Sequence, residues 1–247
     1  MRRFTGFNRE YETTNQMTNM PMLTFLPFAA LEACVEDLTK DISTCLQSGI
    51  EKRGRAALAV SGGRTPEHLF PALASKHLAW DNVSITLTDE RWVDSLHADS
   101  NEGLTRRLLL QGPASKARFV GLKTNHESPF DGLEDSETGL ATLDWPLDVV
   151  FLGMGEDGHI ASLFPGAGDW MEATDRAFPV AATASRQARM SLTPGALLDS
   201  RQIFLIITGP AKRATYEAAL QPGPLGDLPV RLILHQDRVP LSVFAVD

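Results

Sequence analysis

A chain of 247 residues, 43% of them apolar, buries a sizeable core as one large α/β domain or two small ones. Its formal net charge of -8 excludes a surface built for nucleic acid or anionic membrane, both of which need a broad cationic face; a small anion at a local basic pocket stays open. No apolar stretch reaches the roughly 18 residues of a spanning helix, and the expectation is a cytoplasmic protein.

The opening segment MRRFTGFNREYETTNQMTNMP is polar, begins with paired arginines and lacks the apolar region of a secretory leader. Residues 1–21 are therefore set aside as an N-terminal tail, disordered or an upstream start, and residues 22–247 are expected to form a single α/β domain. From Phe28, the apolar positions Leu31, Cys34, Val35, Leu38, Ile42, Cys45 and Leu46 recur at spacings of three and four, the stripe of an amphipathic helix, which Gly49 or Gly54 ends. Cys34 and Cys45 share a face of that helix but lie about three turns apart, too far for a disulfide, and read as buried thiols. The apolar run AALAV (56–60), the helix-like PEHLFPALAS and the alternating VSITLT (83–88) form a βαβ unit. A helix starts near Asp99 or Ser100, where Asp99 and Glu102 resemble a capping box, and stops at QGP (111–113). RFVGL (118–122) is a further strand; residues 123–144 are a loop or a loop with a weak helix. LDVVFL, RMSLT (189–193), IFLIIT (203–208) and LSVFAV (241–246) read as strands, AKRATYEAALQ as a helix, and PVRLILHQ is ambiguous with a proline suited to a helix start. The order implies a Rossmann-like α/β fold, a single doubly wound and mostly parallel sheet with helices on both faces and its chemistry in loops beyond the carboxyl ends of the strands.

Three of those loops hold reactive residue types. SGGRTP, after AALAV, offers Ser61, Gly62 and Gly63 for close approach of the backbone, Thr65 as a cap and Pro66 as the first helical residue, which is the make-up of an anion cradle at a helix N-terminus and equally of an ordinary strand-to-helix turn. The Lys-Ser/Thr ending of a P-loop is absent. TDERWV (88–93) puts Asp89, Glu90 and Arg91 at a strand end, where substrates sit, although a solvated charged turn has the same composition. GMGEDGHIASLFPG (153–166) matches the dinucleotide pattern G-x-G-x-x-G, but Pro165 and Gly166 interrupt the helix that pattern needs and no strand leads to Asp175. What remains is a glycine-rich turn presenting His159, a residue suited to proton transfer near neutral pH, with Asp157 nearby in sequence. The histidines are scattered and show no metal-ligand spacing.

Taken in order, SGGRTP, TDERWV, DSN (99–101), GMGEDGHIASLFPG, RMSLT and the TGPAK run ending in Lys212 resemble the 6-phosphogluconolactonases of the glucosamine-6-phosphate isomerase/6-phosphogluconolactonase family, from about Phe25 to the C-terminus. The resemblance implies a cytoplasmic hydrolase of the pentose phosphate pathway that opens a sugar-phosphate lactone without metal or organic cofactor, with no nucleic-acid or membrane partner. It implies His159 as the general base, Asp157 as its support and Arg91 near the developing oxyanion. It further implies Ser61, Gly62, Gly63 and Lys212 on the phosphate, with Arg64, Asp89 and Arg189 adding binding groups. Arg64 is expected to point to solvent, and Asn101 is expected to cap a helix rather than touch the sugar. The related deaminases continue the histidine loop with a Phe-Asn-Glu-Pro-like segment, whereas this chain has Ser162, Leu163, Phe164 and Pro165 and thus no second carboxylate for proton shuttling. An amino-sugar phosphate deaminase and a noncatalytic sugar-phosphate-binding regulator are the alternatives. The sequence gives no oligomeric state, and a monomer is the working expectation.

Overall fold

Apolar runs with no polar interruption dictate the centre of the fold, because a strand without a polar face has to be covered on both sides. In the computed structural model, which describes residues 22–246, the chain runs β1 (Leu23–Phe28), α1 (Leu31–Arg53), β2 (Ala56–Val60), α2 (Pro66–Ala74), β3 (Val83–Leu87), β4 (Asp89–Arg91), α3 (Asn101–Leu108), β5 (Arg118–Val120) and α4 (Leu133–Leu140). It continues with β6 (Val149–Gly153), β7 (Ala177–Val180), β8 (Arg189–Leu192), α5 (Pro194–Leu198), β9 (Ile203–Thr208), α6 (Pro210–Ala219), α7 (Arg231–Leu234) and β10 (Leu241–Val246). The segment read as a polar tail lies outside the described residues.

Seven strands form one parallel sheet in the order β1-β10-β9-β6-β2-β3-β5. Every residue of β2 is buried, as are Ile203 to Ile207 of β9. The chain steps from β2 through β3 to β5 on one side and then, starting with β6, builds the other side. The carboxyl ends of β2 and β6 thus flank the point where strand order reverses, the place where open α/β sheets bind ligands. One continuous apolar core joins α1, the central strands and Trp80, Phe70, Phe151 and Phe244. Among the described residues no helix is long and apolar enough to cross a membrane.

Three features differ from the sequence reading, and one open choice is decided. β1 is an additional strand, paired in parallel with β10 at the sheet edge; Pro27 within it broke the strand pattern, and an edge is where a strand tolerates proline. A second sheet exists, three-stranded and antiparallel, in the order β4-β8-β7. RMSLT is a strand of that sheet and not of the main one, and its partner β4 is the segment read as a charged turn; a three-residue strand pairing across such a span of chain leaves no periodicity to read. Helix α1 ends at Gly54, which takes the left-handed conformation at φ +77 and donates its amide to Ile50 O at 2.8 Å. Gly49 is instead buried inside the helix, where a side chain would press on Ala56 Cβ at 3.0 Å.

Asp148, at the start of β6, ties these layers together: its carboxylate accepts from the Ala57 amide at 2.8 Å and pairs with Arg53 at the end of α1. Neither cysteine is in a disulfide. Burial, with help from Asp37, pushes the Cys34 thiol up to about 12, and burial with Asp41 and Asp148 pushes Cys45 up to about 11. Since the thiolate is the nucleophile, a thiol reagent such as Ellman's at pH 8 is expected to modify both cysteines of the native protein far more slowly than a free thiol, and both promptly in guanidinium; fast native modification would contradict the packing of α1.

Candidate active site

Four strand ends supply the walls of one cleft of about 230 Å³. At the end of β2, Ser61 is buried and its hydroxyl is committed to the fold: it shares a 2.6 Å hydrogen bond with Thr88 Oγ1 and donates to Phe151 O at 3.1 Å, joining the ends of β2, β3 and β6. Its main chain and those of Gly62 and Gly63 border the cleft. A side chain at 62 would overlap Asn101, and Gly63 has φ +107, so the backbone lies open where residues with side chains would block it. Thr65 stands at the N-cap position of α2 with Pro66 behind it, but makes no side-chain cap, contrary to expectation. Arg64 is exposed as expected, yet it borders the cleft.

After β3, Thr88, Asp89 and Glu90 of the TDERWV segment are buried, and the rest is half-buried, where a solvated turn would be wet. Glu90 is fully buried, and its Oε1 accepts from the amides of Arg91 (2.7 Å) and Asn101 (2.8 Å) while Oε2 accepts from the Glu102 amide (2.7 Å) and Ser100 Oγ (3.0 Å). Burial pushes this carboxyl up and the four donors pull it back. A carboxylate in this position satisfies free amides at the N-terminus of α3 and locks that helix to β4. The cap proper is Ser100, which accepts from the Gly103 amide at 3.0 Å; the Asp99–Glu102 box does not form, and Glu102 pairs with Arg106. Asn101 is therefore no cap. Its side chain donates to Asp89 O at 2.8 Å and Asp89 Oδ1 at 3.3 Å and faces the cleft.

Asp89 is engaged on both oxygens from the protein side. Its Oδ2 accepts from Ser162 Oγ at 2.6 Å and Arg189 at 3.1 Å, so it fixes the groups around it more than it offers an oxygen to a ligand. Register places Arg91 directly opposite Arg189 across β4 and β8. Arg91 donates to Asp99 O, and the buried Nε of each arginine has no hydrogen-bond acceptor among the described residues. Burial and the nearby Arg91 and Arg186 charges hold the Arg189 guanidinium below the ordinary arginine range, against the pull of Asp89.

Beyond β6, the glycine loop folds into tight turns and only a short 3-10 turn at Gly168–Glu172, not an α-helix, precedes β7, so the dinucleotide reading fails on structure as well as on pattern. Its purpose is to hold His159. The imidazole Nδ1 lies 2.5 Å from Asp157 Oδ1, which also accepts the His159 amide at 3.2 Å, and the Phe164 ring packs on the imidazole with centroids 4.7 Å apart. The hydrogen bond from His159 is the main reason the Asp157 carboxyl sits below the usual carboxylate range. Gly155 is required, because any side chain there would collide with both His159 Nδ1 and Asp157 Oδ1. Ala161, at φ +48, takes a left-handed conformation unusual for its type and turns Ser162 toward Asp89.

Lys212 completes the cleft from the first turn of α6. A cation at the positive end of a helix is unfavourable on its own; burial, then the Arg64 charge, lower its pKa, with Glu156 opposing. Arg64, Lys212 and the amides of Gly62 and Gly63 thus form one anion-seeking group and Arg91 with Arg189 a second. The cleft walls contain Ser61, Gly62, Gly63, Arg64, Asp89, Arg91, His159, Arg189 and Lys212, and Asp157 stands behind His159. Sequence reasoning assigned Asn101 to a helix cap and passed over Ser162, which braces Asp89 without lining the cleft, since nothing in their local pattern marks a contact with Asp89. Among the described residues no cluster of His, Cys, Asp or Glu could hold a metal ion.

The family of glucosamine-6-phosphate isomerases/6-phosphogluconolactonase matches residues 29–241. A 6-phosphogluconolactonase of Mesorhizobium japonicum is 43% identical over 204 residues, 81% of this chain and 85% of that protein. One of Pseudomonas putida is 41% identical over 212 residues, 84% of this chain and 86% of that protein. The crystal structure of a 6-phosphogluconolactonase from Shewanella baltica superposes with a TM-score of 0.89 at 37% identity, covering 91% of this chain and 98% of that one.

The buried carboxylate of Glu90 gives a stability prediction. Glu90→Ala strands the Asn101 and Glu102 amides at a buried helix end and is expected to lower unfolding free energy by about 2–4 kcal/mol in urea titration; a change below about 0.5 kcal/mol would contradict the clamp.

Proposed function

The chain belongs to the glucosamine-6-phosphate isomerase/6-phosphogluconolactonase family and is a lactone hydrolase with 6-phosphogluconolactonase activity, and within that reaction we propose that His159 is the general base that activates water. The substrate is 6-phospho-D-glucono-1,5-lactone and the product 6-phospho-D-gluconate. An ionised carboxylate only accepts hydrogen bonds, so Asp157 keeps the proton of the neutral imidazole on Nδ1 and leaves the Nε2 lone pair for water. That 2.5 Å contact, made by the histidine in the wall of a cleft that Arg64, Arg91, Arg189 and Lys212 also line, is the observation that carries the assignment.

The steps follow from the groups present. Nε2 takes a proton as water oxygen bonds to the lactone carbonyl carbon, and the carbonyl oxygen becomes an oxyanion. Arg91, half-buried and with a donor to spare, is placed to stabilise that charge in a site where burial strengthens it. Collapse of the intermediate breaks the bond to the ring oxygen, which recovers the proton from the imidazolium; Asp157 supports the cation while it exists. The phosphate is held by the main chain of Ser61, Gly62 and Gly63 with Lys212 and Arg64. Arg189, braced by Asp89, adds charge. Binding the phosphate away from the reacting carbon positions the lactone for attack.

A deaminase would need further proton-transfer groups beside the histidine. The place where the related enzymes carry a glutamate is occupied here by the segment Ser162–Pro165, and the side chain packed on His159 from it is the ring of Phe164. We also propose the cytoplasm as its location, which two cysteines outside any disulfide support.

With freshly generated lactone and the spontaneous reaction subtracted, His159→Ala is expected to lower kcat by about 10²–10⁴ with folding retained. An unchanged rate would overturn the base assignment; tight binding with no acceleration above buffer, together with an indifferent His159→Ala, would leave a noncatalytic binder as the reading, and ammonia release from glucosamine 6-phosphate would favour the deaminase. Lys212→Ala removes a charge-assisted contact, and its main effect should be a KM raised about tenfold or more.

A further inference from the structure

The β7–β8 connection sets up an arrangement that the reaction described above does not use. Residues 181–185 are exposed, and the turn closes through Thr183 N to Arg186 O at 2.8 Å and Arg186 N to Thr183 O at 3.4 Å. The Arg186 side chain turns inward and lays its guanidinium over the ring of Phe164, Cζ 3.7 Å from the centroid. The same ring packs on the His159 imidazole at 4.7 Å and a tilt of 43°. The next two residues fasten the hairpin: Gln187 donates to Asp99 Oδ2 at 3.1 Å, and Ala188 O accepts from the Trp92 amide at 2.8 Å.

An arginine is an expensive choice for this place. Its Nε is buried without an acceptor, it has no carboxylate partner among the described residues, and it crowds the like charge of Arg189. The compensation in view is the negative face of the Phe164 ring, an attraction that strengthens when the cation is desolvated. Arg186 does not form part of the cleft wall.

We propose that Arg186 is a positioning residue for lactone hydrolysis, bracing Phe164 against His159 so that the imidazole is held on its ring face as well as through Nδ1. Its own Cβ and the Asp157 contact anchor the imidazole at two points, which leaves a tilt of the ring about the line between them; Phe164 on the ring face limits that tilt, and Arg186 keeps Phe164 in place. Because the brace acts on the base and not on bound substrate, its loss lowers the rate of the chemical step and leaves binding alone. The inference rests on His159 being the base.

The test is steady-state kinetics on wild type, Arg186→Met, Arg186→Lys, Phe164→Leu, the Arg186→Met/Phe164→Leu double variant and His159→Ala. Arg186→Met is expected to lower kcat about three- to thirtyfold with KM within about twofold. Arg186→Lys should recover part of the loss, and the double variant should be no slower than Phe164→Leu, since arginine acts only through that ring. An unchanged kcat in Arg186→Met, a loss that appears in KM instead, or losses that multiply in the double variant would overturn the proposal. If Arg186→Met does not fold, the same comparison of Arg186→Lys with and without Phe164→Leu decides it. A dead His159→Ala beside a fully active Arg186→Met sinks this inference alone, whereas a fully active His159→Ala sinks the base assignment itself.

Discussion

An ionised carboxylate has no proton to give, so the short contact between Asp157 and His159 Nδ1 decides which imidazole nitrogen keeps its lone pair. Every other feature of the cleft either enforces that contact or gives it something to act on. Gly155 makes room for the two side chains, the turn at Gly158 spaces them, and Phe164 backs the ring. The pair sits at the end of β6, beside the end of β2, so the parallel sheet presents the base next to the Ser61–Gly63 main chain without any dedicated scaffold.

The protein is acidic overall and basic in one place. Concentrating Arg64, Lys212, Arg91 and Arg189 around a small cleft is destabilising unless the charges are managed, and the structure manages them unequally. Asp89 neutralises Arg189 and orients Asn101 and Ser162, while Glu90, the carboxylate next to it in sequence, is spent on the N-terminus of α3 and on the Arg91 amide. Arg64, Lys212 and Arg91 have no salt-bridge partner among the described residues, and a site of that kind gains more from binding a phosphate or stabilising an oxyanion than a neutralised one would.

How much of this was legible in the sequence depended on the range of the interaction. AALAV, LDVVFL and IFLIIT announce buried strands by composition, and SGGRTP and GMGEDGHIASLFPG announce open backbone next to them, because glycine and proline act locally. The second sheet was invisible, since β4 is three residues long and its ladder forms with β8 from a distant part of the chain. The same distance hid the fate of TDERWV: charge composition cannot tell a solvated turn from a carboxylate buried under a helix end. Ser100 and not Asn101 is the cap for a related reason, as both types cap helices and only the approach of Asp89 selects which one turns away. The edge strand β1 was lost to Pro27, a residue whose meaning changes between the centre and the rim of a sheet.

The tautomer of His159 is the quantity on which the account stands, and long-range proton–nitrogen NMR of the imidazole side chains reads it directly. Six histidines make the spectrum small enough to assign by comparison with a His159 variant. At neutral pH the account predicts a His159 with Nδ1 protonated and Nε2 bare, and an Nε2 signal that moves when 6-phosphogluconate is added. A His159 protonated on Nε2, or one whose signals ignore the ligand, would contradict it.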